Sequence, residues 1–466
     1  MNNFHFTKII ASVSPLLAKE IVLSKIINLV DVFSITLSHG FDDNNKKYID
    51  TLMKLDNSKT IILETRGHNT RVKNTTDIQV KKWQTLVIDY SEYTQESDTK
   101  IYIDYGHLDQ LSQGDQIVFE HSKVVAEVSS ITGDCVECKI IKAETDKVLQ
   151  YDRVTLPYCE DSSDELSSQD QKDILRGLEY GTHIVALSCC NSADHVLNCR
   201  QFLEDANHDF MKIFAKIETE NWFNNIDNIA RTADGIILVI DRISAFEKKD
   251  ILEKTLENLK NIGVPILVTY AKKLWNDEYS LYHEETIQKI CNYWVAWIML
   301  ETLVDENTVY DTIETLGNTI EKYELNLPHK DLARFENTEN EIRDYLIFST
   351  YRITTEMDIK AIICFTENGY TASKIASLNP KVPIITFTKE NDTYRFLNLI
   401  RGVKGYKISQ SFDYESLKRI GKEMIRIIFK GNISLDDKVL IVQANEDNSD
   451  EKKEMNGIEL YNFKNI

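Results

Sequence analysis

Short apolar runs alternate with longer amphipathic stretches along most of the chain. Eight runs stand out in the first two thirds: TKIIASV (7–13), VFSITLS (32–38), TIILET (60–65), HIVALS (183–188), MKIFAKI (211–217), GIILVI (235–240), PILVTYA (265–271) and WIMLE (297–301). Each has about the length of a strand. None alternates cleanly, as expected for strands buried on both faces. Helix-period stretches follow most of them. In EKKDILEKTLENLKNI (247–262), Ile251, Leu252, Leu256 and Leu259 fall on one face. Eight strand-then-helix units are the number that closes a (β/α)8 barrel. The pattern therefore predicts an α/β fold built on a TIM barrel.

One unit is interrupted. Between TIILET and HIVALS, residues 85–156 read as short β pieces: TLVIDY, KIYIDY, QIVFEH, KVVAEVSS and CVECKIIKA. Turn residues at Ser112-Gln113-Gly114-Asp115 and Thr132-Gly133-Asp134 punctuate them. This predicts a small β-barrel domain inserted after the third strand, on the face where barrel enzymes build their sites. Beyond residue 328 a new alternation begins with AIICFT, PIITFT, GYKIS, VLIVQA and ELYNF, separated by amphipathic helices. The expected organisation is a barrel over 1–67 and 157–328, the inserted β domain over 68–156, and a C-terminal α/β domain over 329–466.

The length of 466 residues agrees with this count, at roughly 150 residues per domain. No apolar run approaches the roughly 20 residues a membrane span needs, and MNNFHFTKII lacks the shape of a secretory signal. Lys plus Arg is 54 and Asp plus Glu is 74, a net charge of −20, which argues against nucleic acid as a partner. The eight cysteines mostly sit inside apolar runs. That usage suits thiols kept reduced in a cytoplasmic core. Glycine is scarce, 16 in all, where phosphate-binding loops depend on it.

In a barrel the strand C-termini line the site. Here they carry Ser38-His39-Gly40, Glu64-Thr65-Arg66, Ser188, Lys216-Ile217-Glu218, Asp241-Arg242, Tyr270 and Glu301. Lys216 and Glu218, two apart on a strand, point the same way. A cation beside a carboxylate suits phosphoryl transfer, the carboxylate holding Mg²⁺ and the cation neutralising phosphate oxygens. Spacing alone favours the plainer alternative, a buried ion pair.

The order of pieces resembles the pyruvate kinase family over nearly the whole chain. The motifs are TKIIASVSP (7–15), ITLSHG (35–40), ETRGHNTR (64–71), IYIDYG (101–106), KIFAKIET (212–219), ADGIILV (233–239), VPILVTYAKK (264–273), WIML (297–300) and KAIICFTENGYTASKIASLNPKVPIITFT (360–388). The resemblance implies that Lys216 touches the transferring phosphoryl group and that Glu218 is a Mg²⁺ ligand. It places Ser38, Thr65 and Glu64 near a monovalent cation, K⁺, with Glu64 standing where the family has Asp. Thr65, Ser188 and Arg71 fall on the substrate and nucleotide side.

Several positions depart from the family's pattern. Its first-site arginine is Ser34 here, and the asparagine two residues on is Thr36. Arg242 stands at a metal-binding Asp, unless a one-residue slip lets Asp241 serve. The seventh strand's threonine aligns with Tyr270, with Thr269 next door. The loop after the eighth strand is shortened to Glu301-Thr302, the inserted domain's closing lysine falls at Asp152, and the second Asp of its turn is Tyr105. An arginine cation on a developing phosphoryl charge is worth about 10³–10⁵ in rate, and serine supplies none. An arginine at a Mg²⁺ site repels the ion. Together these point to impaired catalysis, with Mg²⁺ and K⁺ expected only if activity remains.

In the C-terminal domain, Thr366, Asn368, Gly369 and Thr371 resemble the family's phosphate-cradling turn. The facing loop, NEDNSDEKKEMN (445–456), is acidic where a sugar bisphosphate needs the opposite, so a helix-capping turn is the favoured alternative. Cys135-Val136-Glu137-Cys138 has no partner pair at zinc spacing, and packing is expected of Cys189-Cys190. The aromatic stretch 292–297 is read as core. Three readings stay open. One is an impaired subunit with a structural or regulatory role, in a homo- or hetero-oligomer of tetramer type, with an active paralogue as a candidate partner. The others are an active divergent pyruvate kinase and a non-catalytic metabolite sensor.

Overall fold

The computed structural model describes residues 4–12, 18–37, 41–67, 70–90, 97–103, 108–119, 123–133, 135–150, 152–156, 164–218, 225–239, 249–262, 264–270, 287–288, 290–293, 295–300, 306–324, 327, 341–408, 414–443 and 457–466. Within them, the eight predicted runs are the strands Lys8–Ser12, Val32–Thr36, Thr60–Glu64, Ile184–Leu187, Lys212–Ile217, Gly235–Val239, Ile266–Tyr270 and Trp297–Leu300. They close into one parallel barrel, the first strand pairing with both the second and the eighth. Strand period sends alternate side chains in and out. Val32, Ile62, Phe214, Leu267, Trp297 and Met299 belong to the inner cluster. Their neighbours Phe33, Leu63, Ile213, Val268 and Ile298 pack in the outer layer with the helices. Both faces are buried, which is why the runs show no alternation.

Helix starts follow local capping. Ser167 accepts from Asp170 N at 3.0 Å to open helix Ser168–Glu179, and Ser192 accepts from His195 N at 3.1 Å to open Ala193–Asp205. A β-carbon on Gly177 of the first of these helices would lie 2.6 Å from Leu63 Cδ2. Only glycine lets that helix approach so close to the third strand, whose last residue is Glu64.

By contacts the chain divides into two compact units, Met1–Arg66 with Asp164–Ile466, and Gly67–Ser163. The second unit carries a six-stranded sheet and a two-stranded ladder. Among the described residues its larger sheet runs from Val154–Thr155 at one edge to Lys100–Tyr102 at the other. It has its own apolar core, with Ile88, Phe119 and Ile140 fully buried.

The first unit also holds a five-stranded sheet ordered Val403–Lys407, Ile384–Thr388, Ile359–Phe365, Lys438–Gln443 and Gly457–Asn462, parallel except for the last strand. Its connections pack on the barrel floor. Gly402 N donates to Phe6 O at 2.9 Å, and Arg395 Nη1 to Lys59 O at 2.7 Å. Glu324 accepts from Phe6 N, Thr7 N and Arg401 at 2.9, 2.6 and 3.3 Å. Of the aromatic stretch 292–297, Val295, Ala296 and Trp297 are buried, Tyr293 is half-buried, Asn292 is exposed and Trp294 lies outside the described residues; Trp297 stacks on Phe214 at 5.0 Å.

Lys8 is buried in this floor, and burial pushes its ammonium down from 10.5 to about 8, against the pull of Asp31. Lys404 and Arg401 push the same way, and Glu324 pulls with Asp31. The native pKa is below the unfolded one, so between these values the unfolded chain binds more protons. The Lys8 contribution to stability therefore rises with pH across that window, by up to about 1.4 kcal/mol per unit. The urea midpoint of the wild type relative to that of Lys8→Met should climb from pH 8 towards 10.

Candidate active site

At the C-terminal end of the barrel, inward positions turn from apolar to polar. On the second strand, the inward residues are Val32, then Ser34, then Thr36; on the third, Ile62, then Glu64; on the fifth, Phe214, then Lys216. Glu64 is buried, 1% exposed, and forms the hub. Its Oε2 accepts from Lys216 Nζ at 2.8 Å. Its Oε1 accepts from the Ser34 hydroxyl and from Thr36 Oγ1, the latter at 3.3 Å. Glu218 Oε1 lies 3.9 Å from the same ammonium. The fourth strand lies between the third and fifth. It places Ala186 in register with Glu64, a side chain small enough to let Glu64 and Lys216 meet.

Burial by itself would push the Glu64 carboxyl up. The Lys216 ammonium and the hydrogen bonds from Lys216, Ser34 and Thr36 outweigh it and hold the group below its ordinary 4.5. Lys216 is thus in a buried ion pair, as its spacing suggested, but its nearer partner is Glu64 from a different strand.

Thr65 and Ser188 join the third and fourth strands. Ser188 N donates to Thr65 Oγ1 at 3.0 Å, and Ser188 Oγ to Thr65 O at 2.7 Å. Asp170, which the sequence reading missed, holds the chain just beyond: its Oδ1 accepts from Arg66 N at 2.8 Å and its Oδ2 from Ser167 Oγ at 2.8 Å. The available signal was the capping pattern Ser167-x-x-Asp170. Beside them Cys189 adopts φ +55°, and Cys190 is buried, its N donating to Lys216 O at 3.1 Å and its thiol pushed up to about 12 by desolvation. That agrees with packing for Cys190.

On the seventh strand the inward parity falls on Leu267 and Thr269. Thr269 is fully buried, and its hydroxyl has no hydrogen-bond partner among the described residues. The alignment had set Tyr270 in the threonine's place; the side chain of Tyr270 lies outside the described residues. So do Ser38, His39-Gly40, Tyr105, Asp241, Arg242, Glu301-Thr302 and the loop 445–456. Arg71 and Asp152 belong to the other compact unit. There the backbones of Arg71 and Arg153 form an isolated antiparallel β-bridge, and Val72 N donates to Asp152 O at 3.0 Å.

In the C-terminal sheet, Thr366 Oγ1 accepts from Gly369 N and Asn368 Oδ1 from Tyr370 N, both at 3.0 Å. Gly369, at φ +84°, makes the left-handed step into helix Tyr370–Ser377, where Thr371 is buried. Thr366 and Asn368 thus cap their own turn.

Among the described residues no group of three His, Cys, Asp or Glu is placed to hold a metal ion. Glu218 fits Mg²⁺ as a single carboxylate, and such an ion is commonly bound by one or two carboxylates plus substrate phosphates. Of the residues expected near a monovalent cation, Glu64 and Thr65 are described and Ser38 lies outside the described residues. Both Glu64 oxygens accept hydrogen bonds, and the Lys216 ammonium supplies positive charge there. No described helix is long and apolar enough to cross a membrane.

A family model described as pyruvate kinase, barrel domain, matches residues 4–242, and one described as pyruvate kinase, alpha/beta domain, matches residues 344–457. The pyruvate kinase of Geobacillus stearothermophilus is 26% identical over 420 residues, covering 85% of this chain and 70% of that protein. That of Bacillus licheniformis is 24% identical over 416 residues, covering 85% and 71%. The fold is similar to the crystal structure of a pyruvate kinase from Cryptosporidium parvum, with a TM-score of 0.79 at 19% identity over 98% of this chain and 96% of that one.

Proposed function

The chain belongs to the pyruvate kinase family, and we propose that within it this protein is a catalytically impaired member. The family's reaction moves the phosphoryl group of phosphoenolpyruvate to ADP, and its members are generally oligomeric. The observation that carries the proposal is Ser34, buried on the second strand at the position of the family's first-site arginine. It donates to Glu64 and brings no charge of its own. By the resemblance Lys216 contacts the transferring phosphoryl group; its ammonium lies 2.8 Å from Glu64, where the family also has an acid. Charge stabilisation is most of what such a site supplies. A Mg²⁺ held by Glu218 would add positive charge at the phosphoryl oxygens.

The role that follows is structural or regulatory. Among the described residues the barrel and the two larger sheets have continuous apolar cores. This suits a chain retained for its surface, as a subunit in a homo-oligomer or beside an active paralogue. The test is pyruvate formation by the purified chain with phosphoenolpyruvate, ADP, Mg²⁺ and K⁺, against Lys216→Ala. No turnover above that control is expected. Turnover in the usual range of about 1–10³ per second, lost in the control, would overturn the proposal. The second reading, an active divergent enzyme, is favoured by the Thr269 hydroxyl, buried on the inward face of the seventh strand. The same assay decides between the two.

A further inference from the structure

We propose that Trp83 anchors a docking surface on the second compact unit for an acidic protein segment that carries aromatic side chains. This does not depend on whether the barrel is active. Trp83 sits in the turn that leads into strand Thr85–Asp89. Its φ is +72°, in the left-handed region that glycine enters freely and a bulky L-residue rarely adopts. It is also 60% exposed. A strained backbone and an indole left in water both cost stability, and burial of the ring offsets neither. Outliers of this kind gather where a ligand or partner is held. The turn itself is firmly fixed. Trp83 N donates to Ile140 O at 2.7 Å, Ile140 N to Gln84 O at 2.9 Å, Gln84 N to Lys81 O at 3.0 Å, and Lys81 N to Gln84 Oε1 at 2.8 Å. A rigidly presented aromatic side chain can be met by a partner at low entropic cost.

The charges around the ring name the partner's chemistry. The ammonium groups of Lys82 and Lys139 lie 5.0 and 5.4 Å from the ring centroid, and Lys81 belongs to the same turn. None of these three lysines forms an ion pair among the described residues. Elsewhere on the unit Lys100, Lys123 and Lys147 do, with Asp89, Glu144 and Asp77. Acids outnumber bases in this chain by 74 to 54, so three lysines left without a carboxylate beside an exposed tryptophan mark a place for one supplied from outside. Glu127 lies across the ladder from Lys139, and Glu137 is exposed two residues along. Those two acids keep the surface from being uniformly basic. It therefore suits a short acidic segment better than a nucleic acid or an anionic membrane.

Fluorescence anisotropy with the full chain and a labelled synthetic peptide rich in Glu and Phe tests this. Vesicles of phosphatidylserine and oligo(dT) serve as the competing anionic surfaces. The wild type should bind the peptide, more weakly as salt rises. Trp83→Gly should bind it at least about tenfold more weakly, with a urea midpoint equal to or above that of the wild type, because glycine suits this φ. Trp83→Asn, the other residue at ease in that region, should repeat the loss, and so should Lys82→Glu/Lys139→Glu. No binding by the wild type, or wild-type affinity in Trp83→Gly, would overturn the proposal. So would tighter binding to the vesicles or to oligo(dT) than to the peptide. A lowered midpoint in both Trp83→Gly and Trp83→Asn would assign the ring to stability and overturn it as well.

Discussion

Lys216→Met destabilises the barrel by about 3–5 kcal/mol, because it leaves the Glu64 carboxylate buried without its opposite charge. Glu64 is 1% exposed, so solvent cannot take over the role of Lys216. The hydroxyls of Ser34 and Thr36 still donate to it, but they carry no formal charge. The loss should show as a drop in the urea midpoint followed by a barrel signal. It should be largely reversed in Lys216→Met/Glu64→Gln, since removing both members of a buried pair is often close to neutral. The destabilisation also depends on pH. In the wild type Glu64 is held below 4.5, so its contribution is complete above that value and is lost as pH falls through its depressed native value. In Lys216→Met, burial dominates and lifts the native pKa, so the variant gains as Glu64 protonates. The gap is therefore widest near neutrality and closes in acid. A gap that is flat with pH, or a double variant no better than the single one, would remove Glu64 as the partner that matters.

Trp297→Ala should cost a similar or larger amount, about 3–5 kcal/mol for the lost volume. Trp297 is fully buried, its ring stacks on Phe214 at 5.0 Å, and its Nε1–H donates to Leu399 O across the junction of barrel floor and C-terminal sheet. Truncation opens a cavity and strips Leu399 O of its donor, a further loss of about 1–3 kcal/mol. Trp297→Phe divides the loss: it keeps a six-membered ring against Phe214 and removes the N–H together with the volume of the five-membered ring. If Trp297→Phe is as damaging as Trp297→Ala, the link to Leu399 outweighs the packing. If Trp297→Ala unfolds the barrel and the C-terminal sheet in separate steps, the tie between them runs through this residue.

Elements with strong local signals were legible in the chain. Runs such as GIILVI and VPILVTYA name their strands because burial on both faces demands continuous apolar side chains. The turn at Thr366-Glu367-Asn368-Gly369 was readable as a cap because a hydroxyl there satisfies an otherwise idle N–H. The pairing of Lys216 with Glu64 was not legible. The two are 152 residues apart, and the only partner that spacing offered Lys216 was Glu218, two positions on. Which of two neighbours on the seventh strand faces inward was not legible either. An alignment counts positions, whereas the pleat decides which of two neighbours, Thr269 or Tyr270, falls on the inward face.

The amino-acid sequence by itself determined the number, order and type of elements, the barrel class, and which residue types stand at the strand ends. Those are consequences of local burial and period, which each segment states independently of the others. Only the tertiary structure decided what those strand ends do to one another. Barrel closure brings the second, third and fifth strands round a shared interior, and the small Ala186 between them lets Glu64 reach Lys216. Whether a lysine meets a ligand or a neighbouring carboxylate depends on distances of a few ångströms between strands far apart in the chain, and no local pattern carries that information.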